Sequence, residues 1–240
     1  MVDRHFLHGN LDAVRTRISG AAQKAGCDPA TIRLVVVTKG HSAESIQALY
    51  ELGVREIGES YVEEGLEKQA RLGSITDLAW HMIGHVQSRK AETVAKYFTM
   101  VHSVDRLKLA RRLDRSAAES DRALPILLEC NVSGEATKYG WHAWDKEGWP
   151  SLIPEIGEVL TLPNVRVHGL MSMAPYLDDA EKARLYFART RELRDFLGQN
   201  FPQSDWSQLS MGMSGDFEAA ILEGATILRI GTAILGPRPT

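Results

Sequence analysis

Residues 33–42 read RLVVVTKGHS: four continuously apolar residues, Leu34 to Val37, then Thr38, a lysine and a glycine. An unbroken, β-branched run of this length suits a strand of a parallel sheet, buried on both faces. A lysine after a strand is ordinarily a solvated loop residue, because lysine is rarely found inside. Lys39 therefore takes its meaning from what surrounds this strand.

Outward from it, strand-like and helix-like segments alternate. Residues 10–25 read as a helix with Leu11, Val14, Ile18 and Ala22 on one face. After IRLVVVT (32–38), SAESIQALYELG is helical, with Ser42 as a candidate N-cap and Gly53 at its C-terminal end. Further strand-like runs are VREIG (54–58), AWHMIG (79–84), TMVHSV (99–104), LPILLECNV (124–132), VRVHGLM (165–171), SQLSMG and TILRIG (226–231). Helical segments separate them; one has Asp105 as its expected N-cap. The longest carries Ala183, Phe187, Thr190, Leu193 and Leu197 along one stripe. Eight strands with helices between them, plus a helix before the first, predict an α/β fold: a single (β/α)8 TIM barrel over residues 1–240. A doubly wound open sheet is the alternative.

The 240 residues suffice for one large α/β domain, and no low-complexity linker marks a second. A net charge of −3 advertises no nucleic-acid surface, and no nucleic-acid partner is expected. No apolar run approaches membrane-span length, and residues 1–18 carry no stretch resembling a signal peptide. Cys27 and Cys130 show no metal or redox spacing. These features fit a cytoplasmic protein with no membrane partner.

In a barrel, chemistry gathers at the C-terminal ends of the strands. Those ends carry Lys39, the GESY run 58–61, His81 with Gly84-His85, His102-Ser103, Asn131, the GLMSM run 169–173, the SMGMSGD run 210–216 and the RIGT run 229–232. The last two supply glycine and hydroxyls just before helices, where unpaired N–H groups accept an anion. Ordinary turns, with Ser214 as an N-cap, account for them equally well. If the anion site is real, Lys39 faces a phosphate cradle. A neutral lysine amine forms a Schiff base with a carbonyl, and burial beside a cation such as Arg229 lowers its pKa toward that state. His81, His85, His102 and His168 lack ligand spacing and a carboxylate cluster, so no metal site is expected.

The motifs VVVTKG, GESYVEE, WHMIGHVQSRK, VHSVDR, NVSGEATKYG, GLMSM, LSMGMSGDFEAAI and RIGTAILGPR together resemble the pyridoxal phosphate homeostasis protein family, from about Leu34 to Arg238. The resemblance implies a barrel like the N-terminal domain of alanine racemase, with pyridoxal 5′-phosphate (PLP) held on Lys39 as a covalent internal aldimine. It places Ser210 at the phosphate, Gly231 and Thr232 donating to it, and Arg229 against the pyridine nitrogen. The implied cofactor-contacting set is Lys39, Ser60, His81, Met171, Ser210, Met211, Ser214, Arg229, Gly231 and Thr232, with no catalytic residue assigned. The family usually has asparagine where this chain has Ser60, and threonine where it has Gly40.

An arginine at the pyridine nitrogen keeps the ring unprotonated and weakens it as an electron sink. Alanine racemases take a tyrosine base from a second domain and a partner subunit, and no such domain is expected in these 240 residues. The expected function is a PLP carrier in intracellular homeostasis, buffering the cofactor or delivering it to PLP-dependent apo-enzymes, and a monomer. A PLP-dependent amino-acid racemase and a cofactor-free Schiff-base aldolase are the alternatives. Trp141, Trp144 and Trp149 read as a loop packed over the helix ring.

Overall fold

The computed structural model describes residues 3–120 and 122–238. Its strands are β1 (Arg33–Val37), β2 (Glu56–Glu59), β3 (Ala79–Met82), β4 (Met100–Val104), β5 (Leu124–Asn131), β6 (Trp141–His142), β7 (Val165–Ser172), β8 (Gln208–Ser210) and β9 (Ile227–Ile230). All pairings are parallel; β1 joins both β2 and β9, and β4 joins β5, so eight strands close into a barrel. Closure excludes the open doubly wound sheet. β6 is a two-residue addition alongside β5 that periodicity did not predict.

Between successive barrel strands run α2 (Ala43–Glu51), α3 (Val62–Arg71), α4 (Ala91–Tyr97), α5 (Leu107–Glu119), α6 (Ile153–Leu160), α7 (Arg184–Asn200) and α8 (Phe217–Leu222), with α1 (Arg4–Ala25) before them and α9 (Thr232–Leu235) after. Helix α1 is capped by the Asp3 carboxylate, which accepts the Phe6 N–H at 3.0 Å, and ends at a left-handed Gly26. Its buried stripe of Leu7, Leu11, Val14 and Ile18 packs on α8 and α9. Helix α7 buries Phe187, Thr190, Leu193 and Leu197, the predicted stripe. Asp105 is not the cap of α5: Arg106 occupies that position, and the Asp105 carboxylate instead takes Arg106 Nη1 at 2.5 Å and lies 3.2 Å from His85 Nδ1. Ser42 stands at the N-cap of α2 without a side-chain cap bond.

The core has two parts. A large apolar layer lies between barrel and helices, and includes Val36, Phe98, Phe187 and Phe217. Inside the barrel, Val35, Met100, Leu127, Met171 and Ile227 form a separate plug. Strand residues alternate between faces, so positions two further along also point inward. Those positions are Val37, His102, Glu129, Met173 and Arg229, and one more step from Val37 is Lys39. The plug therefore seals the barrel below a polar layer, and Lys39 belongs to the mouth. The tryptophan segment packs over the helices: Trp149 donates to the Ala143 carbonyl at 3.1 Å and tilts against Phe196, while Trp141 donates to Glu155 at 2.6 Å.

Candidate functional site

A cavity of about 630 Å³ opens at the C-terminal mouth of the barrel, within the usual range for a small-molecule site. Lys39, Ser60, Ser214, Gly231, Thr232 and Arg229 line it, together with His41, Lys138, Asp216, Met213 and Arg238.

The Lys39 side chain is half-buried. Its amine is held below the ordinary lysine range, first by burial, then by the charge of Arg238, then by that of Arg229; Glu59 and Glu64 oppose this weakly. Burial disfavours the ammonium, and two nearby guanidiniums disfavour it further. The backbone around Lys39 is clamped on both sides. The Thr38 carbonyl accepts Lys68 Nζ at 2.7 Å, and the Gly40 N–H donates to Glu64 Oε1 at 2.6 Å.

Gly40 has φ of +77°, and a Cβ there would lie 3.0 Å from Arg238 Cδ. Glycine takes this left-handed conformation without the Cβ penalty. The sequence departure at Gly40 thus lets the turn after Lys39 pack against Arg238. Arg238 was not singled out from sequence; the two residues meet only because the chain closes the barrel.

Arg229 is buried, donating from Nη1 to Ser210 Oγ at 2.7 Å and from Nη2 to the Ser172 carbonyl at 2.9 Å. Burial pulls its guanidinium down to about 10, resisted by Asp216 and Glu129, so it stays charged at neutral pH. Across the mouth, the Ser214 hydroxyl accepts the Ala233 N–H at 3.1 Å, joining the loop after β8 to the start of α9. A Cβ built on Gly215 meets nothing within 4 Å, so the backbone there is open to close approach from the cavity.

Four of the expected cofactor contacts are not among the residues that line this cavity. Ser210, Met211, Met171 and His81 are fully buried and absent from its lining. Ser210, expected at the phosphate, has its hydroxyl occupied by Arg229 and by His102 Nδ1 at 2.9 Å. Strand β8 ends at Ser210, so the hydroxyl that reaches the mouth comes from the following loop, at Ser214. The four histidines do not converge: His85 stacks on Tyr139 with centroids 3.8 Å apart, and His168 pairs with Asp205 at 2.6 Å. Among the described residues no group of three or more potential metal ligands is found, and no helix is long and apolar enough to cross a membrane.

Comparison with known proteins gives concordant results. A family model, "Alanine racemase, N-terminal domain", matches residues 9–239. The pyridoxal phosphate homeostasis protein of Pseudomonas aeruginosa is 43% identical over 230 residues, covering 95% of this chain and 94% of its own. That of Aquifex aeolicus is 40% identical, covering 95% of this chain and 96% of its own. PipY of Synechococcus elongatus, solved with PLP bound, superposes with a TM-score of 0.83 at 35% identity, covering 96% of this chain and all (100%) of its own. An alanine racemase from Clostridium difficile, at 18% identity and TM-score 0.71 over 98% of this chain and 57% of its own, shares the fold.

Proposed function

The chain belongs to the alanine racemase N-terminal-domain family, alongside the pyridoxal phosphate homeostasis proteins, and from that premise we propose that it binds PLP at the barrel mouth and serves in PLP homeostasis. One observation carries this reading: the Lys39 amine, its pKa lowered by burial and two arginines, stands in a cavity of cofactor size.

The residues present fit the group. PLP is an anion, and Lys39, Lys138, Arg229 and Arg238 line the cavity against Glu135 and Asp216. Ser214, Gly231 and Thr232 would hold the phosphate, with Arg238 beside them, and the open face of Gly215 admits it. Ser60 would lie alongside the ring, with one hydroxyl where an amide would offer two hydrogen-bonding atoms. When bound, PLP supplies an aldehyde that condenses with a neutral amine and a ring that withdraws electrons from the product. Lys39 is the residue that would hold it covalently. Arg229, donor-only and charged, would bond the ring nitrogen and keep a proton off it, which limits the electron withdrawal.

A carrier role follows from what accompanies the lysine. Tyr176 lines the cavity but is 98% exposed, and Tyr61 is 62% exposed; neither is held by packing where a base must stand. We assign the chain no catalytic residue, and read it as one unit over residues 1–240, a cytoplasmic monomer that buffers PLP or passes it to apo-enzymes.

Borohydride reduction of the PLP-loaded protein followed by peptide mapping tests the assignment. The pyridoxyl mark is expected on Lys39 and absent from Lys39→Ala. A mark elsewhere, or none after reconstitution, overturns it. Incubation with single L-amino acids and chiral chromatography separates carrier from racemase: turnover above that of free PLP defeats the carrier reading.

A further inference from the structure

A column of polar side chains crosses the barrel interior from mouth to floor. Arg229 Nη1 donates to Ser210 Oγ at 2.7 Å. Ser210 Oγ lies 2.9 Å from His102 Nδ1, and His102 Nε2 lies 2.9 Å from His81 Nδ1. His81 Nε2 is 3.3 Å from Glu56 Oε2, a charge contact whose geometry falls short of a hydrogen bond. Glu56 in turn accepts Arg33 Nε at 3.0 and 3.1 Å. Ser210, His102 and His81 are each fully buried. At the other end Arg33 and Glu56 reach solvent, with side chains 36% and 25% exposed. The strand register accounts for the descent, because His81 pairs with Met100 of the plug and Glu56 with Ala79 below it.

The Arg229 end fixes the direction of the bonds down to His81, and the Glu56 charge favours an N–H at His81 Nε2. A guanidinium only donates, and a carboxylate only accepts. Arg229 fills one lone pair of Ser210, leaving the serine hydrogen to find an acceptor. His102 Nδ1 is that acceptor if it carries no proton, which puts the proton of His102 on Nε2. His102 Nε2–H then donates to His81 Nδ1, so the proton of His81 also sits on Nε2, facing Glu56. The opposite arrangement leaves the Ser210 hydrogen unpaired and turns a lone pair of His81 toward a carboxylate. Buried groups left unsatisfied in this way carry their full desolvation penalty.

We infer that Ser210, His102 and His81 are positioning residues: a one-way hydrogen-bond relay, set in the neutral Nε2–H tautomers by the Arg229 donor above and the Glu56 charge below, that aims the Arg229 guanidinium into the cavity. Burial holds both imidazoles below their ordinary pKa, which keeps the relay neutral. The cofactor consequence rests on the PLP reading; the tautomers do not. The relay gives a role to the buried serine at the end of β8 and to two histidines in a barrel interior that holds no metal cluster among the described residues.

Long-range ¹H–¹⁵N correlation on the labelled wild-type protein near neutral pH reads the tautomers directly, with single histidine variants for assignment. His81 and His102 should each show a protonated Nε2 and a bare Nδ1. An Nδ1–H tautomer or an imidazolium at either overturns the relay. The positioning role is read with PLP added. Ser210→Ala should bind PLP about tenfold more weakly, the scale of one hydrogen bond to a charged group. Its visible band should also shift, and Ser210→Thr, which keeps the hydroxyl, should restore both. If Ala and Thr variants match the wild type in affinity and band, Ser210 does not position Arg229. A wild type that shows no PLP band defeats the cofactor reading instead, while the tautomers still decide the relay.

Discussion

Lys68 Nζ donates to the carbonyl of Thr38 at 2.7 Å, so a buried ammonium on α3 grips the peptide that precedes Lys39. The same ammonium lies 2.7 Å from Glu59 Oε1 and 2.7 Å from Glu64 Oε1. Glu59 Oε1 also accepts the Thr38 hydroxyl at 2.5 Å, and Glu64 accepts the Gly40 N–H. The lysine at the mouth thus owes its position to a second lysine outside the barrel wall, through contacts on both neighbouring residues.

Removing that second lysine should be costly. Lys68→Met leaves Glu59, fully buried, with no counter-ion, and breaking a buried pair from one side costs about 3–5 kcal/mol. For a chain of this size the melting midpoint should fall by roughly 10 °C. Adding Glu59→Gln should recover part of the loss, because the uncompensated charge is gone. Thermal unfolding of the single and double variants checks this; a single variant that melts with the wild type removes the clamp from the account.

Gly40→Thr, which installs the residue usual in the family, should harm this chain. Its backbone is at φ +77°, and the new Cβ would press on Arg238 Cδ at 3.0 Å. A left-handed conformation costs a non-glycine residue about 1–2 kcal/mol, and a β-branched one is the least tolerant of it. Lower stability in urea together with weaker PLP binding is the expected result. Unchanged values would mean that the turn relaxes without disturbing Arg238 or Lys39.

The barrel was legible because its strands are buried on both faces, so Val35, Val36 and Val37 form an unbroken run while the helices keep their own period. Alternation then carries Lys39 and Arg229 inward with the plug. What was not legible depended on local choices with two equal outcomes. Asp105 has a side chain that caps a helix or pairs with a cation, and His85 and Arg106 decided for the second. Ser210 and Ser214 lie four positions apart in one small-residue run, and only the end of β8 separates the buried serine from the half-buried one. Arg238 meets Gly40 across nearly the whole chain, a contact that no spacing rule reveals.

Glu129 gives the fold a pH dependence of definite sign. It is 4% exposed, and burial, then the charge of Asp105, push its carboxyl up to about 7 against the pull of Arg229. In the unfolded chain it titrates near 4.3. The folded state therefore binds the extra proton between those values. The stabilisation is complete below about 4.3 and is lost as pH rises through about 7, a change of order 3 kcal/mol. Glu129→Gln keeps the neutral shape at every pH. Urea midpoints at pH 5 and pH 8 should show the variant gaining on the wild type across that interval. Parallel shifts of the two proteins would exclude an effect of Glu129.

Arg238 should set the pH at which Lys39 becomes reactive. After burial it is the largest influence lowering the Lys39 amine, ahead of Arg229. Arg238→Gln removes that charge and leaves Arg229 in place, so the Lys39 pKa should rise and less free amine should be present at neutral pH. The profile of visible-band formation against pH should move to the alkaline side. The substitution also removes a cation from the proposed phosphate end, and this second effect must be separated from the first. Pyridoxal without its phosphate does so, since it reports the amine alone. With pyridoxal the alkaline shift should persist, whereas the loss of affinity should appear only with PLP. A pH profile unmoved with both ligands would show that Arg238 does not hold the Lys39 amine down, leaving burial and Arg229 to do so.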